Sequence, residues 1–403
     1  MQTDFVASTG QPVPGAASVR GPTVLQVLPS LAHGGGGVER GTIEVAAAIV
    51  EAGGRAVVAS AGGPMVYELA RVGAGHVILP LASKRPWTMW SNVRELERVI
   101  RELNVDIVHA RSRAPAWSAY YAAKRTKRHF ITTFHGTYGA SNWLKRRYNS
   151  VMTMGERTIA ISGFIAGHVR QVYGVPADHI RVISRGVDLA RFSPSTVSAE
   201  RVIALSTQWR LSDGSFVIML PGRLTRWKGQ SVLIDAMAKL GRSDIICLLV
   251  GSDQGRSAYR RELETKIQAH GLGGQVRLVD HCADMAAAYM LTDVVVSAST
   301  EPEGFGRVMA EAAALGRPVV ATDHGGAREI VVAGETGWLV PPNDVEALAG
   351  ALAHAIDLSG EARAQLSERA IQRVRTLFTK DVMCAKTLDV YDEVLAIDRR
   401  TGP

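Results

Sequence analysis

Cysteine is scarce in this chain of 403 residues: Cys247, Cys282 and Cys384 lie far apart and never in CxxC spacing. That excludes a disulfide framework and a thiolate zinc site, and it fits a reducing compartment. Long apolar runs are missing as well. Those present, such as Ile245 to Val250, have the length of buried strands, well short of the roughly 18 residues that span a bilayer. There is no Asp-x-Asp triplet and no GxGxxG after a strand, so a metal-bridging carboxylate motif and a dinucleotide fingerprint are both lacking. The stretch from Met1 to Pro22 has Asp4 and Pro/Gly-rich polar residues in place of a basic start and an apolar core. It reads as a flexible arm over residues 1–22, not as a secretory leader.

Acidic residues are absent from one long segment. The net charge is +8, yet residues 1–188 carry 22 Lys and Arg against 12 Asp and Glu, and the remainder carries 24 against 26. Between Asp106 and Glu156 no acid occurs, while nine cations do: Arg111, Arg113, Lys124, Arg125, Lys127, Arg128, Lys145, Arg146 and Arg147. Trp117, Tyr120, Tyr121, Trp143 and Tyr148 are interleaved with them. Such a field attracts phosphates, anionic headgroups or nucleic acid. No nucleic-acid motif accompanies it, which leaves an anionic acceptor or an anionic membrane surface as the expected partner.

What is present is glycine, 40 residues of it, in an ordinary globular composition with 46% hydrophobic and 21% charged residues. The length suits two domains of about 150 residues or more. Apolar strand candidates recur at Thr23–Leu28, Ala56–Ser60, His76–Leu79, Asp106–Ala110, Phe130–Phe134, Thr158–Ile161 and Ile180–Ile183, separated by segments with helical spacing. After Ser193-Pro194-Ser195 a second series runs through Phe216–Leu220, Ile245–Val250, Val276–Val279, Val294–Ser297, Pro318–Ala321 and Trp338–Val340. Buried strands alternating with helices build parallel βαβ units. The pattern therefore predicts an α/β protein of two Rossmann-like, doubly wound domains facing a central cleft. Residues 23–190 form the first domain, 191–214 a linker, and 215–380 the second. A helix over 381–403, with no strand after it, is free to pack back across the junction.

Ligands of open parallel sheets bind beyond the carboxyl ends of the strands, and three motifs lie there. HGGGGVER (33–40) puts Gly36 and Gly37 where a helix N-terminus offers free N–H groups to an anion, although a plain tight turn would look the same. PGRLTRWKGQ (221–230) carries Arg223 and Lys228, two cations able to stabilise a diphosphate leaving group without a metal. EGFGRVMAEAAALGRPVVAT (303–322) holds Glu303 at a loop tip and Glu311 just inside a helix, around Gly304, Phe305 and Gly306. Carboxylates at those places can accept hydrogen bonds from sugar diols.

These residues resemble the GT-B glycosyltransferases, and more narrowly the retaining family 4 group. The likeness rests on Gly36-Gly37-Val38-Glu39-Arg40, on the Arg223/Lys228 loop, on the E-x7-E stretch Glu303–Glu311, and more weakly on ISRGVDLARF (183–192) and TGWLVPP (336–342). It covers about residues 23–380. The resemblance implies transfer of a sugar from a UDP- or GDP-linked donor, as substrate and with no cofactor, with retention at the anomeric carbon. By the same likeness Arg223 and Lys228 hold the donor diphosphate, Glu311 the ribose and Glu303 the donor sugar. Gly36 and Gly37 lie near the phosphates, and His135 in TTFHGTYG faces the donor sugar. Asp280 and His281 fall near the base. One position departs from the family pattern: Arg185 replaces an asparagine in Ser184-Arg185-Gly186-Val187-Asp188, which points to a charged acceptor.

The expected activity is metal-independent glycosyl transfer to a glycan or glycolipid in lipopolysaccharide core or related envelope polysaccharide synthesis. It is expected in the cytoplasm, peripheral on the cytoplasmic face of the inner membrane. A non-catalytic GT-B scaffold and another GT-B enzyme, such as a sugar-nucleotide 2-epimerase, are the alternatives.

Overall fold

The computed structural model describes residues 21–32, 37–139 and 142–401. The arm over 1–20 and Gly36 of the first glycine turn lie outside the described residues. The chain divides into two compact units, the first reaching Gly186 and resuming at Asp381, the second running from Val187 to Lys380.

In the first unit seven parallel strands form one sheet: β1 (Thr23–Val27), β2 (Arg55–Ser60), β3 (Gly75–Ile78), β4 (Ile107–Ala110), β5 (His129–Phe134), β6 (Arg157–Ala160) and β7 (Ile180–Val182), in the order β3-β2-β1-β4-β5-β6-β7. The second unit has six, β8 (Phe216–Pro221), β9 (Ile245–Val250), β10 (Val276–Val279), β11 (Val294–Ser297), β12 (Val319–Thr322) and β13 (Gly337–Val340), in the order β10-β9-β8-β11-β12-β13. Every pairing is parallel. The two doubly wound sheets are those expected, and each strand falls on one of the apolar runs.

The central strands are valine- and isoleucine-rich because helices cover both of their faces; β1, β4, β11 and β12 are buried along their whole length. In both sheets the strand order reverses beside the first strand, between β1 and β4 and between β8 and β11. The loops after those strands diverge and leave a crevice at their carboxyl ends. Local signals fix several helix starts: Ser162 caps Gly163–Tyr173 by accepting from the Ile165 N–H, and Asp344 caps Val345–Ile356 by accepting from the Ala347 N–H.

One boundary differs from the sequence reading. Residues 191–214 are not a plain connection. The helix Ala199–Gln208 lies within them and packs on Met285–Met290, with Leu205 and Trp209 buried and Arg201 gripping Asp284 at 2.7 and 2.8 Å. Its apolar side chains recur at helical spacing, and burying them makes the segment part of the second unit. The last helix, Lys380–Thr401, belongs to the first unit. Met383, Cys384, Val390, Tyr391 and Val394 join a core containing Val24, Ile43, Ile107 and Ile131. The Tyr391 hydroxyl lies 2.7 Å from His109 Nδ1, while Glu393 accepts from Arg157 at 2.7 Å and from Arg181 at 2.9 Å. All three cysteines are buried and none is in a disulfide among the described residues, and burial pushes the Cys247 thiol up to about 12.

Candidate active site

In the second unit, the loop after β8 delivers Lys228 and the loop after β11 delivers Glu303. A backbone hydrogen bond from Thr300 N–H to the Trp227 carbonyl, 2.7 Å, ties the two loops together. Lys228 Nζ reaches Glu303 Oε1 at 2.8 Å with both side chains only 12–13% exposed. Ser299 donates to the same oxygen at 2.6 Å and Ser297 at 3.2 Å. Burial alone would raise the Glu303 carboxyl, but the Lys228 ammonium and the hydrogen bonds from Lys228, Ser299 and Ser297 outweigh it and hold the group below the usual range. Three donors thus converge on Oε1, and none of these bonds uses Oε2.

Glu303 is therefore not at a loop tip. Gly325 and Gly326 press on its backbone, Gly326 N–H donating to the Glu303 carbonyl at 2.9 Å. Gly325 has φ +61° and a Cβ there would collide with that backbone. His324 Nε2 lies 2.8 Å from the Ser299 carbonyl and 3.0 Å from Thr322 Oγ1. Ser297, Ser299, His324 and Gly325 were missed by the sequence reading. A serine at a strand end gives no signal of its own, but the His-Gly-Gly triplet after β12, just beyond the acidic motif, could have been noticed.

Arg223 is exposed and makes no ion pair among the described residues, so it stands free toward solvent beside the Lys228 loop. Glu311 has partners of its own. It lies in the helix Arg307–Ala314, 9% exposed, accepting from Arg307 at 2.8 Å and from the Tyr289 hydroxyl at 3.1 Å. Phe305 does not offer its ring to a ligand: it is 3% exposed and packs edge-on to Phe378, because an apolar ring between two glycines is drawn into the core. Gly306, at φ +102°, precedes the helix, and Gly304 links it to Glu303. Asp280 is exposed and held by Arg260 at 2.6 Å, and His281 is exposed.

The first unit gathers a different set. Gly37 opens the helix Gly37–Glu51 after β1, Arg111 follows β4, His135 follows β5, and Arg185 lies beyond β7. Arg111 and Arg185 are 3% and 6% exposed. Both guanidinium groups crowd the point where a Cβ on Gly41 would sit, so a side chain there would push the Arg185 guanidinium aside. Arg111 is thus no part of a surface patch. It follows a buried strand, and its guanidinium turns inward, where Glu44 balances part of its charge. Arg113 is also turned in, stacked 4.1 Å over the Tyr138 ring and donating to Asn149 at 3.2 Å.

His135 has neither ring nitrogen hydrogen-bonded, and burial, with Arg185 and Arg111 nearby, pushes its pKa well below the ordinary histidine value. It is neutral at pH 7. Glu39, near Arg185, is raised by burial against the lowering effect of a backbone hydrogen bond and Arg185, and its Oε2 has no partner. The remaining cations of the basic segment, Lys124, Arg125, Lys127, Arg128, Lys145, Arg146 and Arg147, are all exposed. No helix among the described residues is long and apolar enough to cross a membrane.

Known proteins share this fold. Residues 204–373 match the family described as Glycosyl transferases group 1, and residues 35–191 match Glycosyltransferase Family 4. The chain is similar to an Escherichia coli glycosyltransferase named for colanic acid biosynthesis, WcaL, with 31% identity over 62% of this chain and 61% of that protein, so the match spans less than two thirds of that relative. It is similar to the D-inositol 3-phosphate glycosyltransferase of Xylanimonas cellulosilytica, 31% identical over 71% of each chain. Among solved structures, a glycosyltransferase from Rickettsia africae superposes with a TM-score of 0.87 at 36% identity, covering 93% of this chain and 99% of that one. Anabaena Alr3699/HepE, solved with UDP-glucose, gives 0.79 at 25% identity over 91% and 99%. With two doubly wound sheets, basic and acidic groups placed at their switch points, and both halves matched, this chain belongs to the GT-B glycosyltransferases of family 4.

Proposed function

We propose that the chain moves a sugar from a nucleoside diphosphate sugar to a hydroxyl of an anionic glycan or glycolipid, with retention at the anomeric carbon and with no metal or other cofactor required. The observation that carries the reading is the Lys228–Glu303 pair beside the β8/β11 switch point. The ion pair pre-orients Lys228, and with the exposed Arg223 it supplies two cations for the charge that grows on a departing diphosphate. Oε2 of Glu303 is left to accept from a donor-sugar hydroxyl, and Glu311, held by Tyr289 and Arg307, keeps lone pairs for the ribose diol. Backbone groups at Gly304 and Gly306, and at Gly36 and Gly37, serve the donor, and neutral His135 serves the sugar. The UDP-glucose bound by the Anabaena protein favours a uridine donor over a guanosine one.

In the reaction the bond from the anomeric carbon to the phosphate oxygen breaks and a bond to the acceptor oxygen forms on the same face. The acceptor proton passes to the leaving phosphate oxygen. A second reading rests on Glu39, a half-buried carboxyl raised chiefly by desolvation. Acting as a general base, it would deliver the acceptor from the opposite face and invert the product. Proton NMR of the fresh product decides: the donor's anomeric configuration supports retention, the opposite one Glu39 as base. Nucleotide release that needs no acceptor would favour an epimerase, and no release with any donor a scaffold.

Arg111 and Arg185 suit a phosphate or carboxylate on the acceptor, in keeping with the name of the inositol phosphate relative. Envelope polysaccharide or lipopolysaccharide core synthesis is the pathway we favour, supported by the name of WcaL. The exposed cations draw the chain to the anionic cytoplasmic leaflet, each worth about 1 kcal/mol near such a surface.

A further inference from the structure

A groove of about 450 Å³ opens on the first unit between the helices Pro86–Glu102 and Arg113–Thr126. Its lining is carbon-rich: Pro86, Met89, Trp90, Val93, Trp117 and Tyr121. Trp117 and Trp90 each stack on Tyr121, with ring centroids 6.0 and 6.2 Å apart. Two hydrogen bonds set the walls, Ser118 Oγ to the Met89 carbonyl and Trp117 Nε1 to the Tyr148 carbonyl, both 2.9 Å. Lys84 and Arg147 stand at the groove and make no ion pair among the described residues. The Tyr148 hydroxyl is buried and has no hydrogen-bond partner.

Large apolar side chains surround this groove in the open. Trp87, next to Pro86, is 82% exposed, and Trp143 and Leu144 are 74% and 59% exposed. Trp143 and Leu144 sit one turn before Arg147 and Tyr148 on the helix Trp143–Asn149, so each pair shares a helix face. Aromatic rings beside cations are the composition of a membrane–water interface.

We propose that this groove takes the hydrocarbon chain of an anionic lipid of the leaflet, with its phosphate held by Lys84 and Arg147, while Trp87, Trp143 and Leu144 enter the interface. The inference deepens the membrane contact proposed above, and it is independent of the transfer chemistry. A saccharide fits the groove poorly, because the Ser118 hydroxyl is already committed to Met89 and few convergent polar groups remain. Charge alone does not explain the aromatic rim.

The test titrates the full chain with dodecyl phosphate below micelle formation, read by tryptophan fluorescence, beside dodecyl maltoside and inorganic phosphate. Binding of dodecyl phosphate at least about tenfold tighter than either control is expected, from joint use of chain and head. Trp90→Ala and Arg147→Gln should each weaken it roughly fivefold, and Arg147→Lys should recover most of the loss, with unchanged circular dichroism. Equal binding of all three probes, or variants that bind like the parent, overturns the groove. A second arm uses phosphatidylcholine vesicles with and without phosphatidylglycerol, in about 0.5 M salt, where exposed charges are screened within several ångströms. Retention on the anionic vesicles that is lost in Trp143→Ser/Leu144→Ser supports insertion. Complete release by salt leaves the electrostatic contact standing and overturns the lipid site.

Discussion

The two units place charged side chains at the same point of the same topology and treat them in opposite ways. In the second unit, the loops after β8 and β11 close a cation on an anion and surround the anion with hydroxyls. In the first, the chain after β4 and β7 brings two guanidinium groups together over a bare glycine, with Glu39 and Glu44 among the groups that offset their charge and a neutral histidine nearby. A satisfied pair of this kind is a fixed instrument, ready for one ligand chemistry. In the proposed function the crowded pair of cations is the part that meets an anionic acceptor.

The largest effect expected is at the satisfied pair. Lys228→Ala should lower turnover about 10²–10³-fold by removing charge from the leaving group, and should destabilise the second unit by about 3–5 kcal/mol because Glu303 is left buried without its partner. The double variant Lys228→Met/Glu303→Leu separates the two: stability returns in a thermal melt while turnover does not. A double variant that stays as unstable as the single one would mean the pair is not an isolated unit. Next in size is the crowded pair. Arg185→Asn should raise the acceptor KM roughly 10–100-fold, the range of a charged hydrogen bond, and leave donor affinity unchanged. Loss of donor affinity there would erase the distinction between the units.

Acidification sharpens the comparison further. The Glu303 carboxyl is held below its ordinary 4.5, so the stability it contributes is whole above that value and is lost as pH falls through the lowered folded value. Unfolding measured between pH 6 and pH 3 should show an acid loss that Glu303→Gln reduces, whereas Arg185→Asn leaves it in place. The smallest effect belongs to the exposed cations. Arg125→Gln breaks the 3.0 Å contact with Glu97 and the stacking over Trp90, and should change stability by at most about 1 kcal/mol.

The sheets and the Lys228 and Glu303 loops were legible in the sequence because strand burial, glycine turns and helix starts are local signals. Arg111 was not. Nothing within a basic run distinguishes the cation that follows a buried strand from those on an exposed helix, and only the position of Gly41 reveals where its guanidinium lies. The hydroxyls of Ser297 and Ser299 gain meaning only from a carboxylate four to six residues on, folded back by Gly325. Likewise Tyr391 reaches His109 across 282 residues of chain, a pairing with no sequence signature. Arg185 was singled out from sequence as a cation, but its burial beside Arg111 required the fold.

The central claim is that the Lys228–Glu303 pair belongs to a working donor site. Calorimetric titration of the purified chain with a panel of nucleotide sugars, UDP-glucose first, tests it directly, with Lys228→Ala and Glu311→Ala alongside. The account predicts one tight donor, weakened at least about tenfold in both folded variants. No donor binding, or binding that neither substitution disturbs, would contradict it.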